Sequence, residues 1–186
     1  MKAGNGLVFR IIFMVPQYQI LDLWGFFVIT RMIGLNMTPQ VTIRNALLAD
    51  FDAVVEMDLE GITEDKPAYW HGIFERYVST EKAGGFFLVA ETGSEVIGFI
   101  VGEVRAWEFG SPPCGWVFAL SVSPNSRELG IGQLMLKEMC QRLKRAGITT
   151  LRTMVDREDK LTLSFFRSQG LRTGRYIELE KPIDDI

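Results

Sequence analysis

The stretch "SPNSRELGIGQLMLKEM", residues 123–139, joins a strand end to an amphipathic helix through two glycines. Just before it, "WVFALSV", residues 116–122, is almost continuously apolar, which predicts a central strand covered on both faces. A helix that follows a strand directly presents unpaired backbone N–H groups at the positive end of its dipole. The junction therefore predicts an anion-binding turn.

The glycines of this turn, Gly130 and Gly132, have no Cβ, so a bulky phosphate can approach the main chain there. Charge-assisted hydrogen bonds contribute about 1.5–3 kcal/mol each, so several of them would hold a pyrophosphate. The alternative, given equal weight, is that the glycines only permit a tight turn. The glycine patterns of dinucleotide folds and of phosphate-binding P-loops do not occur in the chain.

Hydrophobic periodicity predicts the elements on either side of this junction. The predicted strands are 41–46, two strands within 84–109, 116–122, 148–155 and 175–181, and the predicted helices are 48–61, 66–80, 133–147 and 158–170. The order β-α-α-β-β-β-α-β-α-β predicts an α/β three-layer domain in which helices flank a mixed central β-sheet.

Turn and capping residues support these boundaries. Asp50 is a candidate helix cap and Gly61 a helix stop, while Pro67 suits a first helical turn. The tripeptide 92–94, Thr-Gly-Ser, predicts a hairpin, and Gly147 predicts the end of the third helix.

The first 36 residues differ from the rest. They are apolar and aromatic, but Arg10, Asp22 and Arg31 interrupt them and Pro16 breaks any helix, so no uncharged run of roughly 18–20 residues is long enough to span a bilayer. Three interpretations stay open: an extension packed on the domain or a partner, a peripheral membrane anchor, or sequence upstream of a true start at Met37. We take 1–36 as an extension of uncertain status and 37–186 as a single domain; membrane association is not expected.

Composition excludes several classes of function. A formal net charge of -3 argues against a nucleic-acid-binding protein. Cys114 and Cys140 lie far apart in sequence, which argues against a disulfide framework, and the single histidine, His71, cannot build a metal site or a catalytic triad alone. No metal is expected. A cytoplasmic protein is the prediction.

Two segments resemble one known family. "FALSVSPNSRELGIGQLMLKEM", residues 118–139, has the order strand, [QR]-x-x-G-x-[GA], helix. "DKLTLSFFRSQGL", residues 159–171, is similar to N-x-x-A-x-x-[LF]-Y-x-x-x-G-[FL]. Both patterns and the element order over 41–181 resemble the GNAT superfamily of acetyl-CoA-dependent N-acetyltransferases.

The resemblance implies direct transfer of an acetyl group from acetyl-CoA to a primary amine on a small molecule or a protein. It implies that pantetheine pairs with the fourth strand, that pyrophosphate binds the glycine turn, and that a strand N–H near Leu120 or Ser121 forms an oxyanion hole. The residues that the resemblance places along acetyl-CoA are Leu120, Ser121, Val122, Arg127, Glu128, Leu129, Gly130, Ile131, Gly132, Gln133, Asp159 and Phe166.

The chain departs from the family at positions that matter for proton transfer. Phe166 stands where a tyrosine often donates a proton to the thiolate, and Met154 and Trp116 stand where two branches of the family have a base. Glu103 and Glu108 are the remaining candidates for a general base, directly or through water. Glu103 lies in an otherwise apolar strand, where burial would raise its pKa. The alternative for Glu103 is an ion pair with a neighbouring strand or an exposed edge position.

The acceptor is expected beside the segment joining the first two helices, where Glu60, Glu64 and Asp65 would attract a cation. A solvated acidic loop is the alternative there. Because family members commonly pair, a homodimer is one expected form. A non-catalytic acyl-CoA-binding sensor or interaction module of the same fold is the alternative function.

Overall fold

The computed structural model describes residues 40–59, 66–80 and 84–183. All of them belong to one compact unit, Pro39–Ile186. The extension 1–36 and the acidic residues Glu60, Glu64 and Asp65 lie outside the described residues, as does Gly61. Within the described ranges, no helix is both long and apolar enough to cross a membrane.

Five strands and four helices are described. The strands are β1 (Val41–Asn45), β2 (Gly85–Thr92), β3 (Glu95–Arg105), β4 (Cys114–Val122) and β5 (Leu151–Arg152). The helices are α1 (Phe51–Leu59), α2 (Pro67–Phe74), α3 (Ile131–Arg145) and α4 (Lys160–Ser168).

The strands form one sheet in the order β1-β2-β3-β4-β5. Strands β1 to β4 are antiparallel to their neighbours, whereas β5 runs parallel to β4. The predicted mixed sheet is therefore confirmed. Short turns join the antiparallel strands β2 and β3, while α3 provides the crossover that a parallel neighbour needs.

Helices cover both faces of this sheet, because the strand side chains alternate between two cores. Leu88 and Ile100 face the layer of α3 and α4, where they join Met135 and Met139. Val89 and Phe99 face the opposite layer, formed by α1 and α2. The core members contributed by α1 and α2 are Val54, Met57, Trp70 and Phe74. This arrangement is the predicted three-layer domain.

Most of the turn and capping residues predicted from sequence are confirmed. Pro67 is the first residue of α2, and Gly93, with φ of 63°, lies in the turn between β2 and β3. Gly147 has φ of 80° just after α3, where the N–H of Ile148 donates to the carbonyl of Leu143 at 3.0 Å.

Asp50 caps the helical start as predicted, but from the third position of the short 3₁₀ turn Leu48–Asp50 that precedes α1. Its carboxylate accepts a hydrogen bond from the backbone N–H of Leu47 at 2.7 Å and two from the Arg44 guanidinium. Burial alone would raise the pKa of Asp50, but these hydrogen bonds outweigh it and lower the pKa. Asp50 thus ties the start of the first helical layer to β1.

The predicted last strand, 175–181, is not a strand, and β5 is much shorter than the predicted 148–155. Residues 175–181 alternate polar and apolar side chains, but Ile177 and Leu179 are 77% and 85% exposed. A period of two becomes a strand only when a neighbouring strand pairs with it, and none does so in the described part of the chain.

Candidate active site

Strand β4 carries a bulge that divides it into two parts. It pairs with β3 from Cys114 to Val122, but the register shifts so that Phe118 has no partner. On its other side, β4 pairs with β5 only at Gly115 and Trp116. Among the described strands, residues 117–122 therefore have a neighbour on one side only, and we call their other side the open edge.

The bulge decides which backbone groups face the open edge. The N–H of Gly115 donates to Thr150 at 2.8 Å, towards β5, whereas the N–H of Ser123 donates to Ile97 at 3.0 Å, towards β3. Because N–H groups alternate in direction along a strand, Leu120 and Val122 point theirs away from β3. The carbonyl of Val122 confirms this direction, since it accepts a hydrogen bond from Arg127 Nε at 3.2 Å.

The glycine turn lies at the end of this edge. A 3₁₀ turn, Pro124–Leu129, leads to Gly130, and α3 begins at Ile131, two residues before the predicted start. The first helical hydrogen bond runs from the N–H of Leu134 to the carbonyl of Gly130 at 3.1 Å. The three N–H groups of residues 131–133 therefore have no partner within the helix.

The two glycines are required for different reasons. Gly130 has φ of 73° in open space, so a side chain there would be strained rather than obstructed. A Cβ on Gly132 would approach the Phe165 ring to 3.3 Å and Val122 Cγ2 to 3.8 Å. Gly132 thus lets α4 pack against the start of α3.

The other residues predicted to bind acetyl-CoA are distributed between surface and core. Arg127, Leu129 and Gln133 are exposed along the turn, while Ile131 is buried in the core. The Glu128 side chain lies outside what the structure describes.

The second motif places its two predicted residues apart. Asp159 is exposed and caps α4, accepting a hydrogen bond from the Thr162 N–H at 2.9 Å, which lowers the pKa of its carboxyl. Phe166 is only 7% exposed and belongs to the core. Its neighbour Phe165 is the ring that reaches Gly132.

A cleft of about 330 Å³ opens beside the bulge. Residues 118–121 of β4 form one wall and Phe99 of β3 lies behind them, while α1 and the start of α2 form the remainder. The cleft thus borders the same strand segment that has the open edge.

A partly buried carboxylate, Asp58, lines this cleft. Its side chain is 16% exposed and accepts a hydrogen bond from Trp70 Nε1 at 2.9 Å, while Lys66 Nζ lies 3.3 Å from it. Lys66 also lies 5.4 Å from the centre of the Tyr69 ring. Burial, and then the charge of Asp58, raise the pKa of the Tyr69 hydroxyl.

Sequence reasoning missed Asp58 and Tyr69. It assigned the acceptor to the acidic segment after α1 and did not consider the helices on either side. The available signal was a carboxylate in the last turn of α1 and an aromatic pair, Tyr69 and Trp70, in the first turn of α2. Residues at facing ends of consecutive helices are brought together when the helices pack side by side.

Glu103, the predicted base, is held by two partners on its own side of the sheet. Its side chain is 13% exposed; Tyr77 Oη donates to it at 2.7 Å and Arg105 Nε at 3.1 Å. Burial and the hydrogen bond to Glu103 raise the pKa of Tyr77 to about 12. Glu103 is opposite Trp116, across the bulge from the cleft-lining segment of β4, and is not among the residues that line the cleft.

Known proteins resemble this chain in sequence and in fold. The sequence profile of the Acetyltransferase (GNAT) family matches residues 51–171. The chain is 27% identical over 101 residues to an L-2,4-diaminobutyric acid acetyltransferase of Nocardia farcinica, an alignment that covers 54% of this chain and 50% of the relative. It is 30% identical over 109 residues to an N-alpha-acetyltransferase of Sulfurisphaera tokodaii, covering 55% of this chain and 62% of the relative.

The chain therefore spans only about half to three-fifths of these curated relatives. Among solved structures, an aminoglycoside N-acetyltransferase in complex with CoA superposes with a TM-score of 0.68 at 12% identity, covering 77% of this chain and 95% of the other. At that identity the likeness concerns the fold. The profile match extends over well more than half of the chain, and the protein belongs to the GNAT acetyltransferase family.

Proposed function

We propose that the protein transfers an acetyl group from acetyl-CoA to a primary amine by direct attack in a ternary complex. The observation that carries this proposal is the open edge of β4, which lies between the Gly130 turn and the cleft beside Phe118. One end offers backbone donors for phosphate, and the other has room for an acceptor. Family membership supports the same reaction class.

The residues present fit the co-substrate. Unpaired N–H groups at residues 131–133 suit a pyrophosphate, since the φ of Gly130 directs the chain into α3 without a side chain in the way. The outward C=O of Leu120 and the outward N–H of Val122 suit the amides of a pantetheine arm, which would add to the sheet like a strand, because the C=O of Val122 already accepts from Arg127. Acetyl-CoA supplies the thioester when it is bound; the protein supplies the groups that hold and polarise it.

At the reacting end, the chain provides a donor and a proton acceptor. The Leu120 N–H, turned outward by the bulge, is suited to stabilise negative charge on the acetyl oxygen. Only a neutral amine attacks, and a lysine-like amine has a reference pKa of about 10.4, so a proton must be removed. The carboxylate of Asp58 lies in the cleft where such an amine would enter.

The acceptor class is narrower than the family as a whole. One relative is named for the acetylation of a diamino acid and the other for N-alpha-acetylation. A cleft of about 330 Å³ is at the lower end of the range for ligand pockets, which favours one small cationic amine or a single side chain. We therefore propose a compact primary amine as the acceptor.

The proposal is tested by calorimetric titration of the full chain with acetyl-CoA and with CoA. We expect micromolar binding by the wild type and none by Gly130→Glu, because the added carboxylate repels phosphate. Gly147→Glu is the matched control: Gly147 also has a positive φ in open space, but it lies at the far end of α3. Equal binding by both variants would contradict the placement of the pyrophosphate.

The transfer step needs its own measurement, because Phe166 lacks the hydroxyl of a family tyrosine. The wild type, once saturated with acetyl-CoA, is assayed for CoA release with L-2,4-diaminobutyrate, butylamine and an N-terminal peptide. Release with at least one amine supports the enzyme. Tight binding without release on any amine would favour an acyl-CoA-binding module.

A further inference from the structure

The chain places an ammonium group of its own inside the proposed acceptor cleft. We propose that Asp58, Tyr69 and Trp70 form the subsite that binds the ammonium of the acceptor, and that Lys66 occupies this subsite as an internal competitor. The proposal rests on the proposed function and names the chemistry of its acceptor: a primary ammonium on a short, unbranched, apolar chain.

The contacts of Lys66 are those that an incoming ammonium would make. Its Nζ lies 3.3 Å from a carboxylate oxygen of Asp58 and 5.4 Å from the centre of the Tyr69 ring. A carboxylate and an aromatic face are two standard ways of binding an ammonium in proteins. Trp70 Nε1 donates to the same Asp58 oxygen at 2.9 Å, which fixes the carboxylate before any ligand arrives.

The position of Lys66 allows it to leave. It immediately precedes the first residue of α2, its side chain is 34% exposed, and its ammonium is carried on a flexible four-carbon stem. Asp58 is more enclosed, at 16% exposure, and belongs to α1. The carboxylate is therefore the fixed part of the subsite and Lys66 the part that an acceptor replaces.

The apolar walls define the rest of the acceptor. Beyond the charged group, most side chains that line the cleft are apolar, among them Met57, Phe99 and Leu120, and the Ser121 hydroxyl donates to the Met57 carbonyl at 3.5 Å. A lysine side chain is itself an alkylammonium, so a chain of about four carbons matches what the subsite already holds. A multiply charged acceptor would leave its other ammonium groups against apolar side chains or in solvent.

The effect of Lys66 on the apparent affinity for the acceptor can be estimated. Partly exposed ion pairs are weak, so an acceptor displaces Lys66 at a cost of about fivefold in apparent affinity. Removing the Lys66 charge should therefore tighten acceptor binding, whereas removing the Asp58 charge should weaken it. A lysine that contacts the acceptor or only supports the fold would not produce these opposite effects.

The first test requires no enzymatic activity. The full chain is treated with limiting isotope-labelled acetic anhydride, and the labelling rates of Lys66 and of Lys144, exposed on α3, are compared by peptide mass spectrometry. Tetramethylammonium chloride is the probe, since it occupies a cation site and has no nitrogen lone pair with which to consume the anhydride, and sodium chloride at equal ionic strength is the control.

We expect Lys66 to be labelled several-fold more slowly than Lys144 in the wild type. The probe should accelerate labelling of Lys66 alone, and sodium chloride should do so much less. Asp58→Asn should label Lys66 rapidly from the start and show no further response. If neither the probe nor Asp58→Asn changes the rate at Lys66, the subsite does not exist, whatever the protein does with acetyl-CoA.

The second test measures acetyl transfer to butylamine at saturating acetyl-CoA. Lys66→Met should lower the KM for butylamine about fivefold with kcat within twofold, and Asp58→Asn should raise this KM at least tenfold. Lys144→Met is the control and should leave both constants unchanged. A KM raised by Lys66→Met would overturn the competitor role.

Calorimetry with acetyl-CoA on the same variants separates this proposal from the function on which it rests. Intact acetyl-CoA binding together with an unresponsive Lys66 would reject the subsite alone. Loss of acetyl-CoA binding by the wild type would reject the proposed function, while the labelling result would still decide whether the cleft binds a cation.

Discussion

Two carboxylates in this protein have similar surroundings but differ in whether they line the cleft. The Glu103 side chain is 13% exposed and is held by an aromatic donor, Tyr77, and a cation, Arg105. The Asp58 side chain is 16% exposed and is likewise held by Trp70 and Lys66. Only Asp58 lines the cleft beside β4. Under the proposed function, access to the cleft is what distinguishes Asp58 from Glu103, because both carboxylates are partly buried beside a cation.

The largest expected difference between them is in catalysis. Asp58→Asn should lower kcat/KM for an amine about 100-fold, because it removes the charge that binds the ammonium and accepts its proton. Glu103→Gln should stay within about threefold of the wild type. Initial rates at saturating acetyl-CoA measure both. A large loss in Glu103→Gln with Asp58→Asn unaffected would reverse the comparison and assign the base role to Glu103.

In stability the order should be reversed: Glu103→Gln should destabilise the protein more than Asp58→Asn. Glu103→Gln weakens two hydrogen bonds to a charged group inside the sheet layer, so we expect the free energy of unfolding to fall by about 2 kcal/mol. Asp58→Asn keeps an acceptor for Trp70 and loses only a partly exposed ion pair, about 0.5 kcal/mol. Urea denaturation followed by circular dichroism gives both values. Equal losses would show that the two surroundings are energetically equivalent.

Alkaline pH should remove the stabilising contribution of Tyr77, which donates a hydrogen bond to Glu103. The pKa of Tyr77 is raised from 10.0 to about 12 in the folded protein, by burial and by the Glu103 carboxylate. The neutral hydroxyl is favoured in the folded state, so its contribution is complete below pH 10 and is lost as pH rises towards 12. On the order of 1 kcal/mol of unfolding free energy should disappear over this range.

Tyr77→Phe isolates this effect, because alkali also titrates lysines throughout the protein. Subtracting the variant's unfolding free energies from those of the wild type between pH 9 and pH 12 should leave a decline confined to the upper part of the range. A flat difference would mean that neither burial nor the hydrogen bond to Glu103 raises the pKa of the Tyr77 hydroxyl in the folded protein.

A third carboxylate, Asp159, is expected to have the smallest effect on catalysis. Asp159 is exposed and its only described role is to cap α4 through the Thr162 N–H. Asp159→Ala should lower the melting temperature modestly, because it removes the N-cap of α4. Asp159→Asn, which keeps a capping oxygen, should be close to the wild type. Weaker acetyl-CoA binding in the alanine variant alone would show that the cap positions the cofactor side.

The sequence was sufficient for features that are local. The strand, glycine turn and helix at 116–145 are encoded by adjacent residues, so their order and the need for Gly130 could be predicted. The layers followed from periodicity, since Leu88 and Val89 alternate between cores as a strand requires. The acidic residues Glu60, Glu64 and Asp65 remain untested, because they lie outside the described ranges.

Features that depend on distant partners could not be predicted. The cleft exists because α1, α2 and β4 meet, and nothing in the neighbourhood of Asp58 in sequence indicates that β4 will stand opposite it. The bulge at Phe118 cannot be recognised from sequence, because "WVFALSV" is almost continuously apolar and lacks the alternation that would mark a change of side. The prediction of a strand at 175–181 was wrong for the converse reason. Its alternation is clear, but no strand in the described part of the chain pairs with it.

The unpartnered Phe118 has a consequence for how this protein can evolve. Replacing Phe118 by another apolar residue changes one wall of the cleft, whereas deleting it would restore the regular register and turn the N–H of Leu120 back towards β3. The open edge would then present the opposite set of backbone groups to any pantetheine arm. Relatives should therefore tolerate other apolar residues at the position of Phe118 while conserving the number of residues in β4.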